Sequence, residues 1–256
     1  MPESGPSREP FDFAEPLGEI EEKSFIKGVK SNPHKLVRTE DEWIEGDSDK
    51  TVATYKKIKE MFEEIRDKYG VNVTDIDVVL GETGAGGPEN KRAYVVVDKI
   101  MGQDLEECTE LSADVIDKFE KFFTGILQAM FDRYKEGKMY FHDIKSSNFM
   151  YGHKSKDEGA ENDFFIADVG WYYGVENEED AGDSYDNSFF NTLIKAQRDL
   201  EGYRAKFGSE DVKLDAIEAK LTEMFDYCNE NKKNKLQEFF KLFPDKVDYQ
   251  KHFFKR

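Results

Sequence analysis

The segment Tyr140-Phe-His-Asp-Ile-Lys-Ser-Ser-Asn-Phe-Met-Tyr151 decides how the chain is interpreted. It follows an apolar face with helical spacing from Val115 to Tyr134, which predicts a long helix that ends at Gly137. Asp168, twenty-five residues after Asp143, lies in the segment Ile166-Ala-Asp-Val-Gly170. The predicted order is helix, loop, strand, loop and strand. Polar side chains in the two loops can therefore come together.

Four side chains in these loops have the chemistry that phosphoryl transfer requires. The reaction needs a carboxylate to orient the attacking hydroxyl, a cation near the phosphate, and oxygen ligands for Mg²⁺. Asp143, Lys145, Asn148 and Asp168 supply these groups. The competing interpretation, a loop salt bridge between Asp143 and Lys145, leaves Asn148 and the later Asp-Val-Gly unexplained.

The pattern Asp-x-Lys-x-x-Asn followed by Asp-x-Gly resembles the catalytic loop and the metal-binding motif of the protein kinase superfamily. The resemblance covers roughly residues 20–175. It implies that Asp143 is the catalytic base and that Lys145 contacts the γ-phosphate of ATP. It also implies that Asn148 and Asp168 bind the nucleotide through Mg²⁺.

A second stretch, Val95 to Leu105, resembles a kinase hinge, with a strand, an acidic residue, a short linker, Gly and then the start of a helix. In this resemblance Val97 is the gatekeeper. The backbone from Asp98 to Ile100 is then expected to meet the edge of the adenine ring.

The resemblance also places a phosphate-binding cation on the third strand and its Glu partner on the following helix. Lys35 and Arg38 are the candidates for the cation, and Glu60 or Glu63 for the partner. Only one of the two cations can face the cleft, and an Arg is unusual there.

Several family features are altered. Phe141 and His142 replace the His and Arg before the catalytic Asp, and Val169 replaces the Phe of the metal motif. No Gly-x-Gly-x-x-Gly loop precedes the first strands, and no Ala-Pro-Glu follows Asp168. The Gly-rich stretch 81–87 lacks the Gly-Lys-Ser/Thr ending of a phosphate loop, so we interpret it as a hairpin connection.

The whole pattern predicts an α+β, bilobal, protein kinase-like fold with a small β-rich N-lobe and a helical C-lobe. Residues 1–20 are expected to form a flexible arm, residues 21–101 the N-lobe and residues 102–256 the C-lobe. In the N-lobe, short strands accompany one helix from Thr51 to Tyr69, which Gly70 ends. Three amphipathic helices are predicted over about residues 186–256.

Composition limits the partners. The formal net charge of −18 repels nucleic acid and anionic membrane surfaces, whereas it attracts a basic protein substrate. Two distant cysteines suggest no disulfide framework, which favours a reducing, cytoplasmic compartment. In its size and missing segments the chain also resembles bacterial effector kinases. This resemblance implies an alternative location, in a host cytosol after secretion.

The leading functional hypothesis is a protein Ser/Thr kinase that uses Mg-ATP, because Lys145 lies two residues after Asp143, as in protein kinases. A small-molecule kinase is the first alternative, favoured by the missing Ala-Pro-Glu. The second is a pseudokinase that acts as a nucleotide-binding or scaffold module, favoured by the missing glycine loop. The acceptor is thus a protein or small-molecule hydroxyl, and an activating protein partner is compatible with all three hypotheses.

Overall fold

The computed structural model describes residues 12–21, 24–39, 48–82, 91–108, 111–168, 185–207 and 214–254. The chain is mixed α+β and divides into two compact units. The first unit comprises Met1–Glu63, Val73–Gly102 and Gly152–Asn162, and the second comprises Glu64–Asn72, Gln103–Tyr151 and Asp163–Arg256. One unit boundary, after Gly102, lies one residue from the predicted lobe boundary. Residues 64–72 belong to the second unit and residues 152–162 to the first. The sequence pattern did not indicate either assignment.

The first half of the chain is rich in strands. Its elements are β1 (Phe13–Glu21), β2 (Ser24–Val29), β3 (Asn32–Thr39), α1 (Ser48–Tyr69), β4 (Ile76–Glu82), β5 (Lys91–Asp98) and β6 (Ile100–Asp104). Five of the strands form an antiparallel sheet of order β1-β2-β3-β5-β4.

The register of this sheet follows from its apolar alternation. Val37 on β3 lies opposite Val96 on β5, and both belong to a buried cluster with Val29 and Tyr94. Because successive strand residues point to opposite faces, Lys35 and Val37 share one face of β3 while Arg38 lies on the other. The two candidate cations are therefore separated by the sheet.

Helix α1 forms because its apolar side chains recur at three- and four-residue spacing, and Tyr55, Ile58, Phe62 and Ile65 are all buried. It begins three residues before the predicted start. Gly70 ends it with φ +66° and donates its N–H to the carbonyl of Arg66 over 3.0 Å, as predicted for a glycine cap.

The second half of the chain is mainly helical. Its elements are α2 (Ile116–Lys135), β7 (Phe149–Lys154), β8 (Asp163–Ile166), α3 (Tyr185–Lys206), α4 (Asp215–Asn231), α5 (Lys233–Leu242) and α6 (Gln250–Phe253), with a 3-10 turn at Pro244–Tyr249. Strands β6, β7 and β8 form a three-stranded sheet in that order.

Aromatic side chains fill the core around α2, which packs against α4 and β8. The ring of Phe119 alone lies 4.9 to 5.7 Å from four others, those of Phe123, Phe164, Tyr203 and Phe207. Burial of such rings compensates for the low apolar fraction of the sequence.

A glycine sets how closely α2 approaches the end of α1. A Cβ placed on Gly125 would lie 2.7 Å from Val71 Cγ2 and 3.2 Å from the carbonyl oxygen of Tyr69. Val71 is fully buried, so this spacing depends on the missing side chain.

Four local expectations are corrected. The flexible arm is wrong from Phe13 onward, because β1 pairs with β2; residues 1–11 lie outside the described ranges. The hinge linker is strand β6, and the next helix begins only at Ile116. The apolar run Met139-Tyr-Phe141 predicts a short strand, but it forms only an isolated bridge at Tyr140. Ser112 is the residue that the sequence predicts as the cap of the second helix, but it precedes a 3-10 turn and does not cap α2.

Neither cysteine is exposed. Cys108 is 3% exposed and Cys228 is fully buried, and burial raises the pKa of the Cys228 thiol well above its ordinary value. Among the helices that the structure describes, none has the length and apolar character needed to cross a lipid bilayer.

Candidate functional site

The loop between α2 and β7 brings Asp143 and Asn148 into direct contact. Residues Ser146–Asn148 form one 3-10 turn, which carries Asn148 back towards Asp143. Asn148 Nδ2 donates to the carboxylate Oδ2 of Asp143 over 2.7 Å and to its carbonyl oxygen over 2.8 Å. Both residues are buried, so this carboxamide fixes the position and the orientation of the Asp143 carboxylate.

Lys145 lies on the same carboxylate but faces solvent. Its Nζ is 3.1 Å from Asp143 Oδ2, and its side chain is 47% exposed, against 11% for Asp143. Lys145 is therefore a half-exposed cation next to a buried carboxylate.

Asp168 reaches the same loop through the backbone. The carbonyl oxygen of Asn148 accepts the N–H of Ala167 over 2.9 Å and that of Asp168 over 3.4 Å. These bonds hold the segment after β8 against the loop between α2 and β7. Val169 and Gly170, which complete the Asp-x-Gly pattern, lie outside the described residues.

Buried apolar side chains and contacts with α3 hold the loop between α2 and β7 in place. Phe141, Ile144 and Phe149 are at most 1% exposed. Thr192 of α3 donates its hydroxyl to the carbonyl of His142 over 3.2 Å, and the hydroxyl of Tyr140 donates to the carbonyl of Tyr185 over 3.0 Å. These α3 contacts join positions about 50 residues apart, and no short-range sequence signal indicated them.

In the first unit, Arg38 and Lys35 have different partners. Arg38 points to α1, where its Nη2 lies 3.3 Å from the hydroxyl of Tyr55. Lys35 donates to Asp98 on the neighbouring strand over 2.5 Å. Of the two, Arg38 contacts helix α1, and which of them binds phosphate stays a prediction. The helix residue that it contacts is a tyrosine, where Glu60 or Glu63 was expected.

Asp98 is the centre of an ion cluster that sequence reasoning missed. Its carboxylate is 2% exposed and lies 2.5 Å from Lys35 Nζ, 3.0 Å from Lys154 Nζ and 3.6 Å from Lys156 Nζ. Burial alone would raise the pKa of Asp98, but the hydrogen bond from Lys35 and the positive charge of Lys154, 3.0 Å away, outweigh burial and lower it. Asp98 is therefore held ionised.

The backbone around Asp98 is also engaged within the chain. The N–H of Asp98 donates to Asp75, and its carbonyl accepts the hydroxyl of Thr74. Lys99 donates its N–H to His34 over 2.8 Å. The N–H of Asp98 is thus engaged within the chain, and the adenine contact of the backbone from Asp98 to Ile100 stays a prediction. Val97 is partly buried on β5, and Ile100 begins β6.

Asn148 and Asp168 carry side-chain oxygens of the kind that Mg²⁺ accepts as ligands. Within the described ranges, no group of three or more His, Cys, Asp or Glu side chains could hold a metal ion. Mg²⁺ at phosphate sites needs only one or two carboxylates, because substrate phosphates and water complete its shell. Asp168 and the amide oxygen of Asn148, whose Nδ2 is directed to Asp143, supply ligands of the required kind.

No protein-family model matches this chain, and no curated protein matches it.

Proposed function

We propose that the chain is an ATP-dependent phosphotransferase with a protein kinase-like, two-lobed fold. The observation that carries the proposal is the double hydrogen bond from Asn148 to Asp143, with Lys145 on the same carboxylate and Asp168 joined to Asn148 through the backbone. The five-stranded sheet, in which one helix separates the first three strands from β4 and β5 along the chain, supports the fold part of the proposal.

In this proposal Asp143 acts on the acceptor. Its fixed carboxylate orients an acceptor hydroxyl and takes the hydroxyl proton while the oxygen attacks the γ-phosphorus of ATP. The bond from that phosphorus to the bridging oxygen breaks, which leaves a phosphoester and ADP. Lys145 moves from Asp143 towards the phosphate and offsets its charge. Mg²⁺, when held by Asn148 and Asp168, would neutralise further negative charge.

The acceptor we propose is a protein Ser or Thr, because Lys145 occupies the position typical of protein kinases and the acidic surface attracts basic substrates. A small-molecule acceptor is the alternative. A pseudokinase is favoured by a different observation: Arg38 meets Tyr55, and Lys35 is held by Asp98.

The test measures two quantities on purified protein: Mg-dependent ATP binding, and transfer of γ-labelled phosphate to a basic protein. We expect Asp143→Asn to keep binding and to lose roughly 10²-fold or more in transfer, the usual contribution of a positioned base. Asp168→Ala should lose Mg-dependent binding. The matched control is Asp117→Asn, an exposed position on α2, which should behave as wild type.

Three outcomes separate the alternatives. Transfer by Asp143→Asn at the wild-type rate would refute the site. ATP binding by the wild type with no transfer to protein or to a metabolite panel would identify a pseudokinase. Labelled metabolites without labelled protein would identify a small-molecule kinase.

A further inference from the structure

The C-terminal segment has the opposite charge to the rest of the chain. Residues 232–256 contain eight Lys and Arg against three Asp and Glu, a net charge of +5 in a chain of net charge −18. The remaining residues therefore carry −23. Such an asymmetry creates a local positive potential on an acidic protein.

A groove opens on this basic segment. It has a volume of about 380 Å³ and lies between α5 and α6. Its apolar part is formed by Phe240, which is 5% exposed, and by Phe254, whose ring centroid lies 6.3 Å away. The complete lining consists of Lys233, Gln237, Phe240, Lys241, Gln250 and Phe254.

The polar edge of the groove is built by helical spacing. Lys233, Gln237 and Lys241 are four residues apart on α5, so they lie along one side of the helix, and all three are exposed. Neither Lys233 nor Lys241 forms an ion pair with any residue in the described part of the chain. By contrast, their neighbours Lys232 and Lys235 both pair with the buried Asp186.

Charge and shape together indicate the occupant. Lys233 and Lys241 complement carboxylates, and the rings of Phe240 and Phe254 in the same groove complement an apolar side chain. The volume of about 380 Å³ lies near the lower end of the range of ligand-binding pockets. An anionic lipid surface fits less well, because the apolar atoms line a concavity, whereas a membrane-binding helix presents an apolar face outward to the acyl chains.

We propose that this groove binds an acidic segment of a partner protein. One aromatic or branched aliphatic side chain of the segment sits on Phe240 and Phe254, and carboxylates on either side of it meet Lys233 and Lys241. This inference is independent of the proposed phosphotransferase activity, since none of these residues belongs to that site.

The experiment titrates the full chain into a fluorescein-labelled Asp/Glu peptide with one central Trp, and follows anisotropy at low and at high salt. We expect saturable binding that weakens with salt, as a charge-dependent contact must. The double substitution Lys233→Glu/Lys241→Glu should weaken it about tenfold or more, the loss expected for two surface ion pairs. Phe254→Ala, and a peptide with Gly replacing Trp, should each weaken binding as well.

The matched control reverses two other exposed lysines, Lys56→Glu/Lys121→Glu, which changes the net charge equally and should leave binding within about twofold of wild type. An equal loss in this control would overturn the proposal, because binding would then follow net charge alone. Binding to anionic vesicles without binding to the peptide would also overturn it, in favour of a membrane. Sedimentation showing self-association that Lys233→Glu/Lys241→Glu abolishes, again without peptide binding, would overturn it in favour of a second copy.

Discussion

Replacing Asp98 with Asn removes the buried negative charge next to which three lysines of the first unit lie. The carboxylate is 2% exposed, whereas the side chains of Lys35, Lys154 and Lys156 are 26%, 18% and 49% exposed. The change keeps the size of the side chain, so the packing of β5 is preserved. The effect on stability then comes from the lysine charges that lose their partner.

The magnitude follows from how far each lysine can relax. Removing one member of a buried ion pair costs about 3–5 kcal/mol when the other member stays buried. Here Lys154 keeps Asp75 at 3.1 Å, and Lys35 is exposed enough to turn towards water. Both effects reduce the penalty, so we expect Asp98→Asn to lower the free energy of unfolding by about 2–3 kcal/mol.

Urea unfolding at pH 7, followed by circular dichroism, measures this loss. The control is Asp77→Asn, which breaks an ion pair to Lys59 of similar length, 2.7 Å, between side chains that are 63% and 42% exposed. It should cost about 0.5 kcal/mol or less. If both variants unfold within about 0.5 kcal/mol of wild type, the argument that burial makes the Asp98 cluster stabilising is refuted.

Two further predictions concern stability. Gly125→Ala should destabilise the protein by about 1–2 kcal/mol, because its Cβ would lie 2.7 Å from the buried Val71 and the strain exceeds the gain in helix propensity. Gly202→Ala should instead stabilise the protein by up to about 1 kcal/mol, because no heavy atom lies within 4 Å of the new Cβ on α3. Equal changes in the thermal stability of the two variants would contradict the reasoning. The stabilisation by Asp98 should also depend on pH. The pKa of Asp98 in the folded chain lies below its unfolded value of about 3.9. The stabilisation is therefore complete at pH values well above about 3.9, and it decreases as the pH falls below this value towards the folded pKa. The difference in unfolding free energy between wild type and Asp98→Asn should therefore be full at pH 7 and smaller at about pH 3, and a difference that stays constant would argue against it.

Long periodic elements and local loop contacts were predictable from the sequence. The apolar repeat of α1 and its ending at Gly70 need only neighbouring residues. The same holds for the contact of Asn148 with Asp143, which are five residues apart.

The elements that the sequence did not indicate depend on pairing or on distant partners. Strand β1 contains Pro16 and Gly18, and its register to β2 shifts at both, so no two-residue alternation is visible. Strand β6 was hidden because three consecutive residues, 101–103, are exposed. The Asp98 cluster joins positions 63 residues apart along the chain, and only the folded sheet brings them together.

The burial of both cysteines has a practical consequence for labelling. Thiol reagents attack the thiolate, and Cys228 is held as the neutral thiol within the core, while Cys108 is 3% exposed. The native chain is thus close to a cysteine-free background for maleimide chemistry. A single cysteine introduced at exposed Gln237 should take one fluorophore at one place, which allows occupancy of the basic groove to be followed by the emission of that dye.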